Sequence, residues 1–390
     1  MFKIKTMNTI SESGLALFEK RGYEFGKETE NPDAMLIRSA DLHGYAFNEE
    51  LVAIGRAGAG TNNIPVEDCA EKGIVVFNSP GANAEAVKEQ EMMSLVMASR
   101  DVLGSIEYVK SIADRGEEIP ALVEKGKNSF AGPELLGKTL GVIGLGAVGA
   151  LVANIALEFG MEVFGYDPFM SVDAAWRLSR EVKHADNLDE IFAVADYISV
   201  NVPYTESTHH LLNAEAFAKM KTGVRIVNES RAEVVDDVAM TEALDSGKVG
   251  KYVTDFPNET ILKAPNVIAM PHLGACTPES EERCADMAAK ELIDYLENGN
   301  IRNSVNMPDA FLSRMGRCRL CVIHRNVPKM LTHILDFISD RNINVEHMIN
   351  KARGDYAYTI VDLEKKIGPK TAEEMRQIEN ILRIRVLYVD

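Results

Sequence analysis

Positive charge is scarce in this 390-residue chain. Lysine and arginine number 42 against 59 aspartate and glutamate, a formal net charge of −17. A nucleic acid or an anionic membrane needs a basic surface that releases counterions, so neither is expected as a partner. An anionic substrate must instead be held by a few local arginines. Cysteine is sparse and odd in number, five in all, which fits a reducing compartment with no disulfide framework. Cys318 and Cys321 stand three apart in a predicted strand and so face opposite sides, which argues against a redox or metal pair; no metal is expected. No apolar run approaches the ~20 residues of a membrane span. The opening MFKIKTMNTISESG has no long apolar segment, so a cytoplasmic location is expected. The length implies two or three cores of ordinary globular composition.

What is present is concentrated in residues 139–167. Thr139 to Ile143 is a short apolar run ending at Gly144-Leu145-Gly146-Ala147-Val148-Gly149. That pattern predicts strand, glycine turn and helix start. Gly144 permits the tight turn, Gly146 lets backbone approach a pyrophosphate, and Gly149 lets the helix pack on the strand. Phosphate would then meet the free N–H groups of Ala147, Val148 and their neighbours. A second predicted strand delivers Asp167, 18 residues beyond Gly149, where a carboxylate accepts the ribose hydroxyls of NAD and repels the 2'-phosphate of NADP.

Around this turn the chain alternates strands and helices, which predicts a doubly wound parallel sheet. Strands are expected near 197–202, 223–227, 251–254 and 267–270, leading into Pro203, Arg231, Asp255 and His272. Before the turn, strands at 34–37, 51–54 and 74–77 lead into Arg38, into Arg56-Ala57-Gly58 and toward Asn83. Ligands of open α/β sheets bind beyond such carboxyl ends. A single arginine is more often a solvated charge, but two beside a glycine loop suit an anion. Residues 84–100 read as an amphipathic helix with one charged face. The last 75 or so residues read βαββαβ, a ferredoxin-like α+β module.

Hydride exchange between a nicotinamide and a secondary alcohol needs a base for the hydroxyl proton and a cation for the adjacent carboxylate. His272 suits the base, with Glu259 on its far nitrogen, and Arg231 suits the carboxylate, which it can grip with two N–H donors. Taken singly, a histidine after a strand is as often a structural residue.

The segments RAGAGTNNI, NSPGANAEAVKEQ, GKTLGVIGLGAVG, NVPYTESTHHLLN, VNESRAEVVDD and AMPHLGACTPES, in this order, resemble the D-2-hydroxyacid dehydrogenase family. That resemblance implies a catalytic set of Arg231, Glu259 and His272, NAD held by the glycine turn with Asp167, Pro203 and Asp255, and a phosphorylated 2-hydroxy acid held by Arg38, Arg56, Ala57, Gly58 and Asn83. Arg231 is followed by Ala232-Glu233 where the family usually has two glycines, and the run from Asp255 to Glu259 is one residue short. The resemblance also implies a discontinuous substrate domain, 1–98 and 280–307, around an NAD-binding Rossmann domain, 99–279. The tail, 315–390, resembles an ACT domain. In family members that carry one, paired copies bind L-serine; the matching residues are His324, Asn326 and Asn344, with Lys329 in place of a glycine. A homodimer or homotetramer is therefore expected. Two other functions fit the scaffold, a glyoxylate or hydroxypyruvate reductase and a NAD-sensing corepressor-like protein. The two arginines and the retained Arg, Glu and His argue against them.

Overall fold

A computed structural model describes residues 1–170 and 172–388. They form two compact units, Met1–Asn83 with Pro278–Asp390, and Ala84–Thr277. The first begins with a parallel five-stranded sheet of β1 (Lys3–Thr6), β2 (Glu24–Gly26), β3 (Ala34–Ile37), β4 (Ala53–Arg56) and β5 (Val75–Phe77), in the order β2-β1-β3-β4-β5. β3 is buried along its whole length, as a strand covered on both faces must be. β1 and β2 were not legible because each is short and half polar. β4 starts two residues later than the apolar run suggests, which makes Arg56 its last residue. The long helix Pro278–Asn298 closes this core, burying Ala285, Ala288, Leu292 and Leu296 with Ile4, Phe18, Leu36 and Phe77.

The second unit holds a seven-stranded sheet: β6 (Thr139–Ile143), β7 (Glu162–Tyr166), β8 (Lys183–His184), β9 (Tyr197–Val200), β10 (Val224–Asn228), β11 (Val249–Thr254) and β12 (Val267–Ala269). The order is β12-β11-β10-β9-β6-β7-β8 and every pairing is parallel. The order reverses between β6 and β9, the switch point at which such sheets bind ligands. Helix Ala84–Ser99 belongs to this unit, because Met92, Leu95 and Ala98 share a core with Leu140, Val227 and Val253. The boundary therefore falls at 83 and not at the expected 98.

The C-terminal stretch folds as β13 (Cys318–Arg325), β14 (Val345–Arg353), β15 (Tyr356–Leu363) and β16 (Ile381–Tyr388), an antiparallel sheet in the order β14-β15-β13-β16 with two helices. The βαββαβ order matches the sequence reading; the expected last strand residue, Val389, lies outside the described residues. Cys318 and Cys321 do face opposite sides, in two different cores. One face of the sheet, Leu320 and Val322, packs on the helices through Ile334, Ile338 and Met375. The other face, Cys321, Ile323, Tyr358 and Ile360, joins the core of the long helix. The tail thus shares a core with the first unit. Among the described residues no helix is long and apolar enough to cross a membrane.

Candidate active site

The glycine turn is built as the spacing demands. Gly144 has φ +87° and donates its N–H to the Tyr166 carbonyl at 2.8 Å; a Cβ there would stand 2.5 Å from the Asn201 carbonyl oxygen. A Cβ on Gly149 would stand 1.9 Å from the Gly144 oxygen, so the helix Ala147–Glu158 can lie on β6 only with glycine at that position. A Cβ on Gly146 would meet nothing within 4 Å. The backbone here borders open space at a helix N-terminus, the shape a pyrophosphate fills. Asp167 follows β7 and turns back on the turn, its Oδ2 accepting the Leu145 N–H at 2.9 Å and its Oδ1 the Phe169 N–H at 2.8 Å. These residues fit a dinucleotide. Pro203 is exposed just beyond β9, its carbonyl accepting from the Thr208 hydroxyl at 2.7 Å.

Arg231, Asp255 and His272 follow β10, β11 and β12, three adjacent strands. Asn228 fixes the first turn: its Nδ2 donates to the Arg231 carbonyl at 2.9 Å and its Oδ1 accepts from Ser230. Arg231 Nη1 donates to the Ser230 carbonyl at 2.6 Å. His272 is exposed, with the Phe256 ring 4.6 Å from its own.

Glu259 is not brought to His272. The short loop makes Asn258 the cap of helix Glu259–Lys263, so Glu259 starts that helix, exposed, and accepts from Lys263 Nζ at 2.5 Å. Asp255, only 2% exposed, is near enough to His272 for their charges to interact. Burial raises the Asp255 carboxyl above its ordinary range, and the His272 charge opposes that rise.

Two further acids stand beside Asp255, and the sequence reading placed neither. Glu91, on helix Ala84–Ser99, is 1% exposed. It accepts from Ser199 Oγ at 2.5 Å and Asn201 Nδ2 at 3.5 Å. Glu229, 7% exposed, accepts from Ser94 Oγ at 2.5 Å. Burial, and then the negative charge of Glu229, push Glu91 up to about 8. Burial pushes Glu229 up to about 7. Only the polar Ser94, Ser199 and Asn201 around the apolar runs signalled them.

In the first unit, Arg38 follows β3 and Arg56 ends β4, the strand paired with it. Asn8, missed in the sequence, shapes the Arg38 turn: its Oδ1 accepts the N–H groups of Ser39 at 3.0 Å and Ala40 at 2.7 Å. The Arg38 side chain is paired with Glu281 at 2.6 Å. Arg56 folds over the glycine loop, where a Cβ on Gly58, at φ +154°, would meet its Nη1 at 2.2 Å. Ala57 is buried, and Asn83 is half-buried just before helix Ala84–Ser99.

Within one copy of the sheet His324 and Asn326 do not meet Asn344. Arg325 is level with Tyr356 and Arg353, whereas Val345 is level with Leu363 and Cys318. Asn344 therefore lies at the opposite end of the sheet from His324 and Asn326, because β13 and β14 run in the same direction. His324 is 2% exposed and both its ring nitrogens are engaged, Nδ1 with the Arg325 carbonyl at 2.8 Å and Nε2 with Thr359 Oγ1 at 2.9 Å. Asn326 donates to the Gly354 carbonyl at 3.0 Å. Lys329 has φ +70°, a conformation in which glycine is at ease.

Comparison with known proteins accords with this geometry. The family model of the NAD binding domain of D-isomer specific 2-hydroxyacid dehydrogenases matches residues 95–274. A D-3-phosphoglycerate dehydrogenase of Methanocaldococcus jannaschii is 32% identical over 387 residues, covering 94% of this chain and 70% of the relative. The chain belongs to the D-3-phosphoglycerate dehydrogenase family. D-3-phosphoglycerate dehydrogenase 1 of Saccharomyces cerevisiae is 27% identical, with 99% of this chain and 87% of that relative covered. Among solved structures, the NAD+-bound 3-phosphoglycerate dehydrogenase of Entamoeba histolytica superposes with TM-score 0.60 at 25% identity, covering 80% of this chain and 99% of that one. The C-terminal antiparallel sheet lies outside the residues that the family model matches.

Proposed function

We propose that this dehydrogenase oxidises 3-phospho-D-glycerate to 3-phosphohydroxypyruvate with NAD, the first step of L-serine synthesis. The observation that carries the reading is the kinship with D-3-phosphoglycerate dehydrogenases over 94% and 99% of this chain, joined to a glycine turn, an arginine and a histidine on the carboxyl edge of one parallel sheet. NAD, held by residues 144–149 and Asp167, supplies the hydride acceptor. Arg231 grips the substrate carboxylate with paired N–H donors. His272 takes the hydroxyl proton as C2 gives up its hydride, and so acts as the general base. Asp255 stands behind it in the role first expected of Glu259. Arg56, aided by Arg38, holds the phosphate.

The test is NADH formation with 3-phosphoglycerate against D-glycerate and D-lactate. A preference for the phosphorylated acid of about a hundredfold or more in kcat/KM is expected; equal rates would refute the assignment. His272→Ala should lower kcat by roughly 10²- to 10⁴-fold with NAD affinity kept.

The tail is proposed to be an ACT-like regulatory element with L-serine as effector. His324 and Asn326 lie at one end of the sheet and Asn344 at the other, so a serine held by all three would require two copies of the chain, as in a homodimer or homotetramer. Titration of the full-length protein with serine, with no heat and no inhibition at millimolar concentrations, would refute this.

A further inference from the structure

Three carboxyl groups buried together are costly, and each here keeps an oxygen without a partner: Glu91 Oε1, Glu229 Oε2 and Asp255 Oδ1. Their other oxygens are served by neutral donors, Ser199 and Asn201 for Glu91, Ser94 for Glu229, and Gln90 Nε2 at 3.5 Å for Asp255. Gln90 also reaches Glu229, so it links the two acids. No group of His, Cys, Asp and Glu among the described residues is arranged to hold a metal ion. Unpaired buried carboxylates are relieved by protons when no cation is at hand.

The placement gives those protons a use. The acids lie along the carboxyl edge of consecutive strands: Ser199 on β9, Glu229 after β10, Asp255 after β11 and His272 after β12, with helix Ala84–Ser99 bringing Gln90, Glu91 and Ser94 across them. From the packed elements, the ionisable groups that act on one another are Glu91 on the helix, Glu229 beyond β10, Tyr252 and Asp255 on and beyond β11, Asp237 toward Tyr252, and His272. Arg231 is turned to the Ser230 carbonyl.

We propose that Glu91 and Glu229 are positioning residues that hold protons beside Asp255 and, through it, adjust how readily His272 accepts the hydroxyl proton. The inference rests on His272 as the base of the proposed reaction. Oxidation of the alcohol releases one proton as the hydride leaves C2; His272 takes that proton and the acid line stays near it. Where Glu91 and Glu229 are protonated they are neutral and leave His272 alone. Where they ionise, above about pH 7 to 8, the added negative charge favours an imidazolium and so favours proton uptake.

Glutamine copies the protonated acid, which makes the test direct. The ratio of variant to wild-type kcat/KM for oxidation is measured at about pH 6 and about pH 9 for Glu91→Gln, Glu229→Gln and the double variant. The ratio should fall between the two, by roughly 5- to 50-fold for the double variant. A ratio constant across pH would show a merely structural role and overturn the proposal. On protein carrying Glu291→Gln, which removes the other buried glutamate raised to about 8, the carboxyl carbon signals of ¹³C-labelled glutamate should include two that titrate near neutrality; all glutamates titrating in the ordinary acid range would overturn the proposal. A wild type that oxidises no hydroxy acid would sink the functional reading, while the carbon titration would still report on the acids themselves.

Discussion

Arg319 and Asp362 face each other across β13 and β15 with both side chains wholly buried, Nε to Oδ1 at 2.7 Å and Nη2 to Oδ2 at 2.8 Å. The other guanidinium donors reach the carbonyls of Asn298, Leu312 and Ser313, and Asp362 also accepts the Met315 N–H at 3.0 Å. The pair thereby pins the end of the long helix and the following segment to the C-terminal sheet. Removing one partner leaves an uncompensated buried charge, so Asp362→Ala should cost about 3 to 5 kcal/mol in urea unfolding. A loss below about 1 kcal/mol would mean that water reaches the pair.

Truncation after residue 314 should not yield a free-standing catalytic fragment. It would strip Cys321, Ile323, Tyr358 and Ile360 from the core of the long helix, and would remove Arg385, which donates to the carbonyls of Tyr295 and Leu296 at 2.9 Å each. We expect aggregation or a strongly lowered melting temperature. A soluble fragment with unchanged melting would contradict the shared core.

NAD should be preferred over NADP. The Asp167 carboxylate sits on the glycine turn through the Leu145 N–H, and a 2'-phosphate brought to it would meet a like charge, on the order of a hundredfold in affinity. Equal kcat/KM for the two cofactors would count against this placement.

The two arginines should act on the phosphorylated substrate. Arg56→Ala, and Arg38→Ala with it, should raise KM for 3-phosphoglycerate, while D-glycerate is little affected. Equal losses on both substrates would show that neither reads the phosphate.

Glu291 provides a pH test of stability in the first unit. Burial pushes its carboxyl from 4.5 up to about 8, with only the Asn303 amide, at 2.6 Å, opposing that rise. The folded state therefore keeps a proton that the unfolded chain loses, and the stability this proton contributes declines as pH rises from 4.5 through about 8. Glu291→Gln should flatten the fall of melting temperature across that window. Parallel curves for the two proteins would show that Glu291 ionises freely when folded.

The sequence by itself determined what depends on near neighbours. The strand, Gly144 to Gly149 and Asp167 lie within one βαβ unit, where glycine sterics and a helix start leave one arrangement, and the βαββαβ order of the tail follows from its local periodicity. Arg231 and His272 were legible because each ends an apolar run. Tertiary structure decided the rest. Glu259 was misplaced because a one-residue deletion changes which side chain begins a helix, an effect that spacing does not show. Glu91 was not legible because helical periodicity marks faces but not what covers them; only the packing of β9 to β11 against that helix buries it beside Glu229 and Asp255. The distance of Asn344 from His324 was set by strand direction, and the attachment of the tail by which face of its sheet the long helix needed to cover. In each case the partner is far away in the chain, so the free energy that fixes the side chain is absent from its local sequence.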